Sequence, residues 1–202
     1  MKERGIIFNS EMVRAILYGR KTQTRRIMKP QPKTNENGDI WWPSNICQSM
    51  INIKEMMQDN EGVWAGIAGI SCPHGDVGDH LWVRETFKAG VCTESTIAYK
   101  ATHKPSDLEE GWYEEIKWTP SIHMPRWASR ITLEIVDVHV ERLKDAGDTE
   151  FKAEGYPLDR ELTGGSMDPF CWFRNLWDSV SPTNFKYANN PWVWVIEFKK
   201  VE

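Results

Sequence analysis

The sequence has no apolar run approaching the roughly 18 residues that a membrane-spanning helix needs. Its first residues, Met1-Lys2-Glu3-Arg4, lack the apolar stretch of a signal peptide. No membrane partner is expected, and the expected location is the cytoplasm. Cysteine is scarce: Cys47, Cys72, Cys92 and Cys171 are widely and irregularly spaced, with no Cys-x-x-Cys pair. Neither a disulfide framework nor a standard zinc site is indicated. Cys72-Pro73-His74 sets a thiol near an imidazole, but a metal there would need two further ligands from elsewhere. A turn with a buried thiol is the better reading, and no metal or cofactor is expected. Internal repeats and low-complexity segments are also missing.

Acidic residues are absent from Met12 to Asn35, where Arg14, Arg20, Lys21, Arg25, Arg26, Lys29 and Lys33 are all basic, in a chain of formal net charge −4. Such local asymmetry suggests an anionic ligand, with phosphate the obvious class, and a solvated basic face is the plain alternative. Within the run, Gly19-Arg20-Lys21-Thr22-Gln23-Thr24-Arg25-Arg26 sets a lysine and two hydroxyls where a helix gives way to a strand. This is the best candidate for a chemical site.

What the chain has in excess is tryptophan, 11 in 202 residues. Indole is large and its N–H wants a partner, so most of these side chains belong to the core. The remainder suit a pocket or groove where bases stack. The length fits one domain with insertions.

Gly5-Ile6-Ile7-Phe8 reads as a short strand, and Asn9 or Ser10 can cap a helix with Met12, Val13, Ile16 and Leu17 on its apolar face. Gly19 suits the position just after that helix. Residues 22–28 form the next strand, which leaves Lys21 in the connection. Residues 29–78 look like an insertion whose Trp41, Trp42, Ile46, Met50, Ile51, Met56, Met57 and Trp64 pack as a flap over the rest. Further strands are expected at 79–86 and 96–101. Across 131–140 the apolar phase shifts from Ile131, Leu133 and Ile135 to Val136, Val138 and Val140, which implies a bulge or sharp bend. Asp148 can cap a short helix through Glu154, and Asp168 with Pro169 can start another bearing Phe170, Phe173, Leu176, Trp177 and Val180. A last strand puts Trp192, Trp194, Ile196 and Phe198 on one side.

The order Gly-x-Lys-x-x-Thr-x-Arg at Gly19, Lys21, Thr24 and Arg26 resembles the signature of the ASCH domain family, relatives of PUA-like RNA-binding barrels. Three further segments resemble larger ASCH proteins of phages and prophages: Leu81 to Thr86, Pro120 to Ile131, and Trp192 to Phe198 after Pro191. The resemblance covers most of the chain outside residues 29–78 and 87–118. It implies an α+β fold: one ASCH-like domain over residues 1–202, a PUA-like β-barrel with flanking helices and the inserted flap.

Small members of that family include bacterial acetylcytidine amidohydrolases, in which the signature lysine and threonine act with a glutamate. The resemblance therefore implies Lys21 and Thr24 as catalytic residues, with Glu154 as the matching third member. The residue types suit that chemistry. A threonine hydroxyl becomes a nucleophile only when a base removes its proton, and a lysine serves as that base only when its pKa falls from about 10.4 towards neutrality. Burial and the cations Arg20, Arg25 and Arg26 would lower it, and Glu154 would orient the lysine or protonate the leaving amine. In one regular strand Lys21 and Thr24 would face opposite ways, so the mechanism requires Lys21 to lie in the turn.

A second constellation is His123, Arg126, Trp127 and Arg130, where arginines contact phosphates and an aromatic ring stacks on a base; Arg84, on the same strand face as Trp82, is a further candidate contact, with a core and ion-pair role as its alternative. The plain alternative is a core tryptophan flanked by surface arginines. The expected partner is a nucleoside or single-stranded RNA or DNA. Three roles stay open: an amidohydrolase on an acetylated cytidine, a non-catalytic reader of modified or single-stranded nucleic acid, and a phage-borne interaction protein.

Overall fold

The computed structural model describes residues 1–57, 66–91, 96–104 and 115–201; Trp64 and Cys92 lie outside them. Strand β1 (Glu3–Ile7) leads to helix α1 (Ser10–Leu17), whose start is capped by the Asn9 side chain accepting from the Met12 N–H at 2.8 Å. Val13, Ala15 and Ile16 bury its inner face. Gly19 then takes φ +71, a left-handed turn that costs glycine little because it has no Cβ. The chain continues into β2 (Gln23–Ile27). Next come β3 (Lys33–Thr34), β4 (Ile40–Ser44) and β5 (Ser49–Asn52), which pair as a small antiparallel sheet, and the short helices α2 (Ile53–Met57) and α3 (Ile67–Ser71).

The second half holds β6 (His80–Arg84), the hairpin β7 (Phe87–Ala89) and β8 (Ile97–Tyr99), and the long β9 (Thr132–Arg142). Helices α4 (Asp148–Ala153), α5 (Leu158–Thr163) and α6 (Asp168–Val180) precede β10 (Trp192–Lys200). Met167, rather than Asp168, caps α6. The Asp168 carboxylate is taken instead by Arg160 and the Tyr156 hydroxyl.

The fold is α+β, but its main sheet does not close into the expected barrel. The strand order is β1-β6-β9-β10-β2, with β1 and β2 as separate edges. Side chains fill the seam between those edges. The Arg26 guanidinium donates to the Ile7 carbonyl at 2.9 Å, and both Arg26 and Lys21 lie over the Phe8 ring. A backbone ladder cannot form where these groups stand.

The expected bulge is present in β9. Glu197 of β10 pairs with Asp137 and the next residue, Phe198, with Ile135, so Val136 is the extra residue. The insertion changes which face each later residue of β9 occupies. One face of β10 sends Trp192, Trp194, Ile196 and Phe198 into the main core, while Val193 and Val195 enter a second core with Phe151, Phe173 and Trp177. A strand buried on both faces is a strong anchor. Truncating its fully buried Trp194 to alanine would cost about 3–5 kcal/mol. Trp42, Ile51, Ile53 and Met56 from the 29–78 segment join the main core, and Trp42 meets Trp194 edge-on at 5.3 Å. This segment is therefore built into the core rather than laid over it as a flap. No helix among the described residues is long and apolar enough to cross a membrane.

Candidate ligand-binding site

The centre of the site is made where the turn after α1 meets the end of α4. Lys21 bridges Glu154 in antiparallel fashion, and the Thr22 N–H donates to the Ala153 carbonyl at 2.9 Å. Lys21 therefore lies in the connection between helix and strand. Its ammonium donates to Glu154 Oε2 at 2.6 Å and to the Glu154 carbonyl at 2.9 Å. From β2, Arg25 Nη1 donates to Glu154 Oε1 at 3.2 Å and Arg25 Nε to Glu141 Oε1 at 2.7 Å. Lys21, Arg25 and Glu154 are only 2%, 5% and 4% exposed. Two cations and two carboxylates thus form a chain of balanced charge, which is what allows such groups to stay inside a protein.

Burial pushes the Lys21 ammonium below the ordinary lysine range. The Glu154 carboxylate opposes that fall, and Arg26 and Arg25 add to it. Alternation along β2 separates its other polar residues. Arg25 lies over Phe173 and Gln23 donates to the Glu150 carbonyl, whereas Arg26 turns to Phe8 on the opposite face, and Thr24 shares that face. Thr24 is 3% exposed, and no hydrogen bond among the described residues joins its hydroxyl to Lys21.

Glu154 also lines a cavity of about 290 Å³, together with Arg14, Arg20, Pro157, Trp172 and Leu176. Arg20 donates to the Gly155 and Tyr156 carbonyls at 3.1 and 3.0 Å, fixing the wall beside Glu154. Trp172 meets Tyr156 edge-on at 5.6 Å. The result is a small cavity with a tryptophan in its wall and both acidic and basic residues around it, Glu11, Asp159 and Glu154 with Arg14 and Arg20.

The basic run is less open than its charge suggests. Arg25 belongs inside the charge network, not on a nucleic-acid surface, and Arg26 is held by Ile7 and Phe8. Glu154 and Glu141, distant in sequence, neutralise Lys21 and Arg25. The members of the second constellation lie along β1 and β6. Arg84 lies over Trp82 and donates to the Ile122 carbonyl; Arg126 pairs with Glu3 at 2.9 Å and Arg130 with Glu85 at 2.9 Å. Trp127 is 69% exposed, His123 is exposed, and neither lines the Glu154 cavity. Two arginines of the second constellation are already ion-paired. Glu141 and Trp172 are site residues that the sequence reading did not select.

The cysteine and histidine of the Cys72-Pro73-His74 turn are both pushed towards their neutral forms. Burial raises the Cys72 thiol to about 11, and burial with nearby Arg26 and Arg4 lowers His74 to about 4.

No protein-family model matches the chain, and neither does any curated protein sequence. Among solved structures, the chain is similar to a high-resolution crystal structure of an ASCH domain from Lactobacillus crispatus JV V101. The two are 10% identical with a TM-score of 0.38, and the similarity covers 98% of this chain and 79% of that one.

Proposed function

We propose that the chain binds a nucleoside in the cavity beside Glu154 and hydrolyses the acetyl amide of an acetylated cytidine there. The observation that carries this reading is that Glu154, whose carboxylate holds the buried Lys21, is also a lining residue of a cavity that has a tryptophan in its wall. Burial lowers the pKa of the Lys21 ammonium that Glu154 holds, and an amine so shifted is suited to proton transfer. A flat base stacks on Trp172, which supplies affinity without charge. Glu154 is the member of the implied triad that lines the cavity. In this mechanism it accepts the proton of the attacking hydroxyl or water and returns one to the leaving exocyclic amine, while acetate departs. Lys21 and Arg25 hold its carboxylate in place. Thr24 does not line the cavity, so water is the nucleophile unless the Thr24 hydroxyl turns into the cavity and forms an acyl-enzyme.

Acetate release from acetylcytidine by the purified protein tests the proposal. The wild type should release acetate, and Glu154→Gln should lose at least about a hundredfold in rate, the scale of a general acid–base contribution. Loss of activity in Thr24→Ala assigns the nucleophile to its hydroxyl; full activity assigns it to water. Binding without any release identifies a reader, the alternative favoured by the complete covering of the Lys21 ammonium.

A further inference from the structure

We infer that Asp137, His139 and Glu197 form a binding site for a divalent transition-metal cation, zinc being the best match. One imidazole nitrogen and two carboxylate oxygens lie within 4.8 Å of one another on the face of the β9–β10 pair. His139 Nδ1 is already 2.6 Å from Asp137 Oδ2, and Glu197 pairs with Asp137 directly across the two strands. Zinc bonds of about 2.0–2.2 Å in tetrahedral geometry set their ligand atoms about 3.3 Å apart. The triad brackets that spacing, at 2.6 Å for the His139–Asp137 pair and within 4.8 Å for the others.

The Val136 bulge makes the arrangement. Without it, Asp137 would follow Leu133 and Ile135 into the main core. With it, Asp137, His139 and Glu141 share the face that bears Glu197. That face borders a groove of about 340 Å³, which Asp145 and Met57 also line. Its charge is only partly compensated: Arg25 pairs with Glu141 and His139 with Asp137, but no lysine or arginine pairs with Asp137, Asp145 or Glu197 among the described residues. A divalent cation supplies the missing positive charge, and the imidazole nitrogen favours zinc over magnesium or calcium. Three protein ligands leave a fourth position facing the groove, the pattern of an open zinc site. The site stands apart from the Glu154 cavity, and the inference does not depend on the activity proposed above.

Isothermal titration of chelator-treated protein with zinc chloride tests it, with magnesium chloride as control. The expected result is one zinc per chain and no saturable magnesium binding. His139→Ala and Glu197→Gln should each weaken zinc binding about tenfold or more. Far-ultraviolet circular dichroism checks that both variants are folded, and His139→Gln replaces His139→Ala if the latter is not. Cobalt substitution should give tetrahedral visible bands without a thiolate charge-transfer band. Absence of zinc binding overturns the inference. So does binding that survives either substitution, or a thiolate band, which would place the metal on a cysteine such as exposed Cys171.

Discussion

Glu154 accepts from Lys21 through one oxygen and from Arg25 through the other, so its removal leaves two buried cations without their common partner. Breaking a buried pair from one side costs about 3–5 kcal/mol, whereas replacing both partners with apolar groups is often close to neutral. Glu154→Leu should therefore be strongly destabilising, and Lys21→Met combined with Glu154→Leu should recover much of the loss. Urea unfolding of the single and double variants checks this; a double variant no more stable than Glu154→Leu would show that the pair is not energetically coupled. His74 carries a separate prediction. Its folded pKa of about 4 lies below the ordinary 6.5, so its neutral state favours folding above pH 6.5 and that contribution is lost as pH falls towards 4. After discounting for partial exposure the loss is on the order of 2 kcal/mol. Thermal unfolding across this window should show less acid sensitivity in His74→Asn than in the wild type.

Local elements were largely legible in the sequence because their signals are local. Asn9 and Gly19 mark the two ends of α1, and the phase shift after Ile135 marks the bulge. The phase shift did not reveal closure, because a bulge bends a strand wherever it lies and the pairing of the two edge strands is a long-range matter. At the end of α4, Gly155 has φ +104, and an added Cβ would meet the Cβ atoms of Ala15 at 2.9 Å and Lys21 at 3.2 Å. Gly155→Ala should thus destabilise the protein by about 1–3 kcal/mol through backbone strain and crowding. Differential scanning calorimetry should record a lower midpoint; an unchanged midpoint would mean that this turn can relax freely.

At the scale of the molecule, the candidate site was half visible. Lys21 and Glu154 could be paired only through resemblance, since 133 residues separate them. Trp172 and Glu141 gave no sequence signal of their own, because one sits on a helix face that reads as core and the other in a strand that reads as alternating. The proximity of Asp137, His139 and Glu197 was likewise not legible, because it depends on strand register. The basic run was visible, but the carboxylates that pair with Lys21 and Arg25 were not, because they come from the second half of the chain. The central claim is that the Glu154 cavity holds a nucleoside against Trp172. Equilibrium dialysis with cytidine, the product of the proposed reaction, tests it most directly. Stacking on an aromatic ring contributes about 1–3 kcal/mol, so cytidine should bind the wild type at one site per chain and about 5–150-fold more weakly in Trp172→Ala. Absence of cytidine binding, or equal affinity in the folded Trp172→Ala variant, would contradict the account.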